Sequence, residues 1–80
     1  MIPMIQMTAK QKDLLGETMV EKRKYFGKTQ EDCAKECEVS VNTWRSWERG
    51  CTSPTAENVK KICELLNICG REYDAIFHRD

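Results

Sequence analysis

The chain carries one histidine, two prolines, no CxxC pair among its five cysteines, no net charge and no long apolar run. Each shortage removes a class of protein. With His78 alone and the cysteines at 33, 37, 51, 63 and 69, no compact four-ligand set for zinc is available. An odd count without paired spacing also argues against a disulfide framework and for thiols in a reducing compartment. Cys33, Cys37 and Cys63 are then expected as small core residues, and Cys51 or Cys69 would be the place for any redox role. There are no paired acids at a plausible site, no glycine-rich phosphate loop and no cysteine close to the histidine, so an enzyme is not expected. Eighty residues also make one domain, too small for a cleft between two lobes. No stretch is long enough to cross a bilayer, and the opening MIPMIQM lacks the basic start and cleavage site of a secretion signal, which implies a cytoplasmic protein. There is no strand signal, repeat or low-complexity segment.

Thirteen Lys and Arg balance thirteen Asp and Glu. That balance excludes a protein held to polyanions by bulk charge, because phosphate neutralisation supplies most sequence-independent affinity. The distribution is uneven. Lys22, Arg23, Lys24 and Lys28 stand together without an acid, whereas Glu31, Asp32, Glu36 and Glu38 follow in the next segment, so the surface should be polarised.

What is present is a run of helical patterns with start and stop signals. Thr8 can cap a helix reaching about Phe26, with Leu15, Met19, Arg23 and Phe26 on one stripe. Gly27 suits its end. Thr29 precedes Gln30-Glu31-Asp32 and Ser40 precedes Val41-Asn42-Thr43, two further capped starts separated by one tight corner. The second helix should run from about Gln30 to Cys37 with Cys33, Ala34 and Cys37 inward. At ~100° per residue, Trp44, Trp47 and Glu48 fall on one side of the third helix, about 41–49. Asn42, Ser46 and Arg49 fall on the other, with Arg45 at the margin. Two tryptophans on one side are core anchors, which leaves a small polar and cationic face with the chemistry to read base edges and phosphates. Gly50 suits the end of this helix, a loop contains Ser53-Pro54, and a fourth helix should run from Thr55 or Ala56 to Asn67. A fifth follows Gly70, from about Arg71 to Phe77. The reading is therefore a flexible tail at 1–7 and one all-α, five-helix domain at 8–80, with the paired helices at about 29–50.

The residues Arg23, Gly27, Thr29-Gln30, Ala34, Val39-Ser40, Trp47-Glu48-Arg49-Gly50, Pro54, Val59, Ile62, Leu66 and Ile68 resemble the Cro-type, lambda-repressor-like helix-turn-helix family, the xenobiotic-response-element class of bacterial and phage regulators. The joint spacing over residues 15–77 carries the resemblance. It implies a compact DNA-binding domain with Arg23 paired to Glu48 across the first and third helices. Trp44 and Trp47 would be structural. It further implies base contacts from Ser40, Val41, Asn42, Arg45 and Ser46, and phosphate contacts from Lys28, Thr29, Gln30, Thr43 and Arg49. No metal, cofactor or catalytic residue is implied. Two departures stand out: Glu38 occupies a corner where the family usually has glycine, and Lys28 a place where an apolar residue is commoner.

The function expected from this resemblance is sequence-specific binding of double-stranded DNA by a transcriptional repressor, bacterial or phage-encoded, cytoplasmic and associated with the nucleoid. Modules of this kind pair on half-sites about one helical turn apart, so a homodimer on a pseudo-palindromic site is expected. Tyr73, Ile76 and Phe77, with Ile2 and Ile5, are either its contact or additions to the core. The rival reading, favoured by zero net charge, is a protein-interaction module on the same fold, such as an antitoxin that masks a protein partner.

Overall fold

The computed structural model describes residues 7–77. Five helices follow one another, α1 (Ala9–Tyr25), α2 (Gln30–Glu36), α3 (Val41–Glu48), α4 (Ala56–Leu66) and α5 (Arg71–Phe77), with no strand among the described residues. Four of the starts are made by hydroxyl caps. Thr8, Thr29, Ser40 and Thr55 each lie in extended backbone and accept from the amide three residues on. Gln11 and Asp32 return the bond to Thr8 and Thr29, closing capping boxes.

The first four helices share one way of stopping. A residue with positive φ (Gly27, Glu38, Gly50, Asn67) is followed by an amide that reaches back five residues, from Lys28 to Arg23, Val39 to Ala34, Cys51 to Ser46 and Ile68 to Cys63, at 2.9–3.0 Å. This satisfies otherwise orphaned carbonyls and reverses the chain tightly. The corner between α2 and α3 uses it with Glu38 at φ 60°, so the departure at this residue leaves the family turn intact and strains one backbone position. Glu38→Gly should therefore raise stability by about 0.5–1 kcal/mol and the melting temperature by several degrees. The exposed Glu38–Lys61 contact of 3.7 Å offsets little of this. Thermal denaturation of the two proteins checks it, and an unchanged or lower melting point would refute it.

The core is built from Leu15, Met19, Cys33, Ala34, Cys37, Trp44, Trp47, Ile62, Leu66, Ile68 and Ile76, with Met7 at its edge. Met7 belongs by sequence to the N-terminal tail, yet it packs here. Ile2, Ile5 and His78 lie outside the described residues. Two apolar side chains, Phe26 and Cys63, sit differently from their expected places. Phe26 is 42% exposed because α1 ends at Tyr25 and Phe26 is already its C-cap. There its ring stacks edge-on to Tyr25 at 5.1 Å instead of continuing the stripe. Cys63 is half-buried. In α5, Ile76 closes the core and Tyr73 remains 38% exposed, with its ring 4.7 Å from that of Phe77.

Helix α1 crosses α3 at Gly16. A Cβ added there would meet the Glu48 carbonyl oxygen and lie 2.9 Å from that of Trp47. Backbone thus rests on backbone, and α1 becomes the plate on which α3 is mounted. Against its other sides pack α4 and α5.

Candidate nucleic-acid interface

Helix α3 is held by aromatic burial and by one carboxylate. Trp44 and Trp47 are 0% and 4% exposed, with ring centroids 5.9 Å apart. The Glu48 carboxylate lies beside them and accepts from three helices at once. Arg23 Nε of α1 and Trp44 Nε1 of α3 both donate to Oε2 at 2.7 Å, and Gln30 Nε2 of α2 donates to Oε1 at 2.7 Å. Arg23 Nη2 adds a longer bond of 3.4 Å to Oε1, while Nη1 donates to the Lys28 carbonyl at 3.1 Å. The expected Arg23–Glu48 pair is thus present, at side-chain exposures of 13% and 5%. Burial alone pushes the Glu48 carboxyl up, but the hydrogen bonds from Arg23, Gln30 and Trp44 outweigh it and hold the group below its ordinary 4.5.

With the indoles inside, Asn42 and Arg49 are exposed on the opposite side of α3, and Ser46 is half-exposed between them. Ser40 is exposed at the N-terminus, its hydroxyl accepting from the Thr43 amide and lying 2.9 Å from the Thr43 hydroxyl. Val41 is half-buried, with part of its side chain against the core. Ser46 Oγ lies 2.9 Å from Thr52 Oγ1 in the following loop. Arg45 leans toward α2: its Nε donates to Gln30 Oε1 at 3.1 Å, and Nη2 lies 3.7 Å from Glu31. Ser40, Asn42, Thr43, Arg45, Ser46 and Arg49 therefore share one polar surface, with Val41 at its inner edge.

The residues before and at the start of α2 are more heavily engaged within the protein. Lys28 Nζ lies 3.2 Å from Glu36. The Thr29 amide donates to Asp32 Oδ2 at 3.2 Å, and this bond, with the Thr29 hydroxyl, lowers the Asp32 pKa. Gln30, expected at a phosphate, gives its amide nitrogen to Glu48 and its oxygen to Arg45, so its side chain ties α2 to the C-terminal half of α3. Arg49 differs from these cations: it is exposed and forms no salt bridge among the described residues.

Three residues important to the site were not legible as such. Gly16 had one usable signal, since a glycine inside a helix costs about 1 kcal/mol relative to alanine and needs a packing reason. The linking role of Gln30 and the hydroxyl contact of Thr52 depend on which helices meet, and no local pattern marks them. The cysteines divide as expected except at Cys63. Burial pushes the Cys33 and Cys63 thiols up to about 11 and also raises that of Cys37, while Cys51 and Cys69 are exposed. Among the described residues no cluster suited to a metal ion occurs, and no helix is long and apolar enough to cross a membrane.

A tight corner of four residues, 37–40, between α2 and α3, with α3 anchored inward and polar outward, defines a helix-turn-helix domain. The helix-turn-helix family model HTH_3 matches residues 20–73, and the chain belongs to this family. Over 62 residues it is 37% identical to the cryptic phage CTXphi transcriptional repressor RstR of Vibrio cholerae, covering 71% of this chain and 55% of that repressor. The chain thus spans about half the length of that relative. Among solved structures it resembles the restriction-modification controller protein C.AhdI of Aeromonas hydrophila, at 26% identity and a TM-score of 0.68, covering 76% of this chain and 92% of that one. The clp gene regulator ClgR of Corynebacterium glutamicum shares the fold at 23% identity and a TM-score of 0.68, over 81% of this chain and 65% of that one.

Proposed function

We propose that the chain is a sequence-specific double-stranded-DNA-binding transcriptional regulator, a repressor, that inserts α3 into the major groove. The observation that carries this is the seating of α3. Two buried indoles and the Glu48 bonds fix one side of the helix, and the opposite side presents Asn42, Ser46 and Arg49 outward. Family membership and the repressor relative point the same way. Catalysis has no place in this reading, and the site of action is the cytoplasm, where the DNA is. Capture of a protein partner, as by an antitoxin, has only the zero net charge in its favour, and the family model and the repressor relative lend it no support.

Ser40, Val41, Asn42, Arg45 and Ser46 meet base edges in this proposal. Asn42 suits adenine, Arg45 suits guanine, and Val41 a thymine methyl. Thr43, Arg49, Lys28, Thr29 and Gln30 line the phosphate path, with Gln30 acting mainly by holding α2 and α3 in register. Because Lys28 and Arg45 are partly neutralised by Glu36 and Glu31, sequence-independent attraction is modest and Arg49 supplies much of it. One such module reads few base pairs, so the protein works as a homodimer on a pseudo-palindromic site.

Selection of bound duplexes from a random pool at two salt concentrations tests the function: an enriched palindromic motif and steep salt dependence are expected. With that site in hand, Arg49→Ala should weaken binding to all sequences and reduce the salt slope by about 1, whereas Asn42→Ala should lose about 1–3 kcal/mol of preference at one position per half-site. If both variants bind every duplex like the parent, α3 does not enter the groove on this face.

A further inference from the structure

We infer that Glu31, with Gln30, is a specificity-determining positioning residue: the two seat Arg45 of α3 so that one edge of its guanidinium is offered to a guanine. This rests on the DNA-binding reading above and names what sets the preference at one base. Arg45 is the surface end of a chain of contacts that begins in the core. Arg23 Nε donates to Glu48 at 2.7 Å, Glu48 accepts from Gln30 Nε2 at 2.7 Å, and Gln30 Oε1 accepts from Arg45 Nε at 3.1 Å. Arg45 Nη2 lies 3.7 Å from Glu31 Oε2. A guanidinium is planar and offers two forks, a side edge of Nε and Nη2 and an end edge of Nη1 and Nη2. Gln30 and Glu31 occupy the side edge. Nη1 forms no hydrogen bond or ion pair among the described residues, and the Arg45 side chain is 40% exposed, so the end edge is the one left for a ligand.

The seat selects guanine over phosphate. Lost rotamer freedom is a large part of the cost of recruiting a free arginine, and here the ordering precedes any ligand. A fixed planar fork rewards an acceptor pair that is itself fixed, the O6 and N7 of guanine. A phosphate contact positions the protein without reading sequence and gains less from such fixing. The Glu31 carboxylate sharpens the choice. It stands beside the fork and repels a phosphate, whereas the guanine edge carries no net charge. Glu31 is exposed, and α2 keeps the capping box of Thr29 and Asp32 without it, so the start of the helix does not depend on this carboxylate.

Two measurements on the 80-residue chain test the inference. In the free protein, side-chain NMR should show the Arg45 guanidinium rotating more slowly than that of Arg49, and Glu31→Ala should speed the Arg45 rotation several-fold. On DNA, the selected duplex is varied one position at a time, and Arg45→Ala locates the base pair whose guanine preference depends on Arg45. Glu31→Ala should lower guanine preference at that same position about two- to tenfold and leave the position read by Asn42 unchanged. It should also raise affinity for duplexes lacking the motif, with a steeper salt slope. In the Arg45→Ala background, Glu31→Ala should change no base preference. An undiminished guanine preference, a change spread evenly over all positions, or an Arg45 as mobile as Arg49 in the parent would each overturn the inference. If Asn42→Ala acts as expected and Glu31→Ala does not, only the role of Glu31 falls; if Asn42→Ala also leaves every preference intact, the DNA reading falls with it.

Discussion

Glu48→Ala should cost about 3–5 kcal/mol of stability, the range for removing one partner of a buried ion pair. The loss is large because four donor bonds end on this carboxylate. Without it the Arg23 guanidinium and the Trp44 indole N–H would be left in a site where the carboxylate side chain is 5% exposed, and an unmet buried donor carries its full desolvation cost. A domain of 80 residues has only about 4–12 kcal/mol in total. Thermal denaturation should therefore show a fall on the order of 15–30 °C. Replacing both members, Arg23→Met with Glu48→Leu, should recover part of the loss, since the charge no longer has to be buried. A single variant within 1 kcal/mol of the parent would mean that the three-helix junction is not held by this group.

The same carboxylate sets a pH dependence. Its folded pKa is depressed below 4.5, so the stability it contributes is fully present above that value and is lost as pH falls through the lower folded pKa. Urea denaturation at a series of pH values should show the parent losing more stability than Glu48→Gln between about pH 5 and pH 3. Parallel curves for the two proteins would contradict the depressed value.

Gly16→Ala should destabilise the domain although alanine is the better helix former. The propensity gain is about 1 kcal/mol. Against it, the new Cβ must displace the Glu48 and Trp47 carbonyls, which are main-chain atoms of a helix already fixed by its tryptophans. Overpacking costs about 1–3 kcal/mol and more where backbone must move, so the net change is a loss of about 1–2 kcal/mol, and Gly16→Val should lose more. DNA binding should suffer beyond the fraction unfolded, because pushing α3 off α1 tilts the polar face relative to α2. Melting curves and half-site affinity measured well below the transition distinguish the two effects. A more stable Gly16→Ala protein would show that α1 and α3 do not meet there.

The sequence by itself determined the helices and their polarity. Hydroxyl caps at Thr8, Thr29 and Ser40 and left-handed stops at Gly27, Gly50 and Asn67 act within a few residues, so their positions read directly into the observed ends. The inward turn of Trp44 and Trp47 followed from helical spacing and apolar size, and the Arg23–Glu48 pair from two charges on inward faces combined with the family resemblance. What only the tertiary structure decided lies where separate helices meet. Gln30 stands by sequence at a phosphate position, and only the packing shows that its amide also bridges Glu48 and Arg45. Phe26 lies on the stripe by spacing, yet turns out where the helix stops one residue earlier. Tyr73 and Ile76 look alike in sequence, and only the packing of α5 on α1 sends Ile76 inward and leaves Tyr73 exposed. Local hydrogen bonds and periodicity are properties of a segment, whereas a contact between segments depends on their relative placement, which no short stretch of the chain encodes alone.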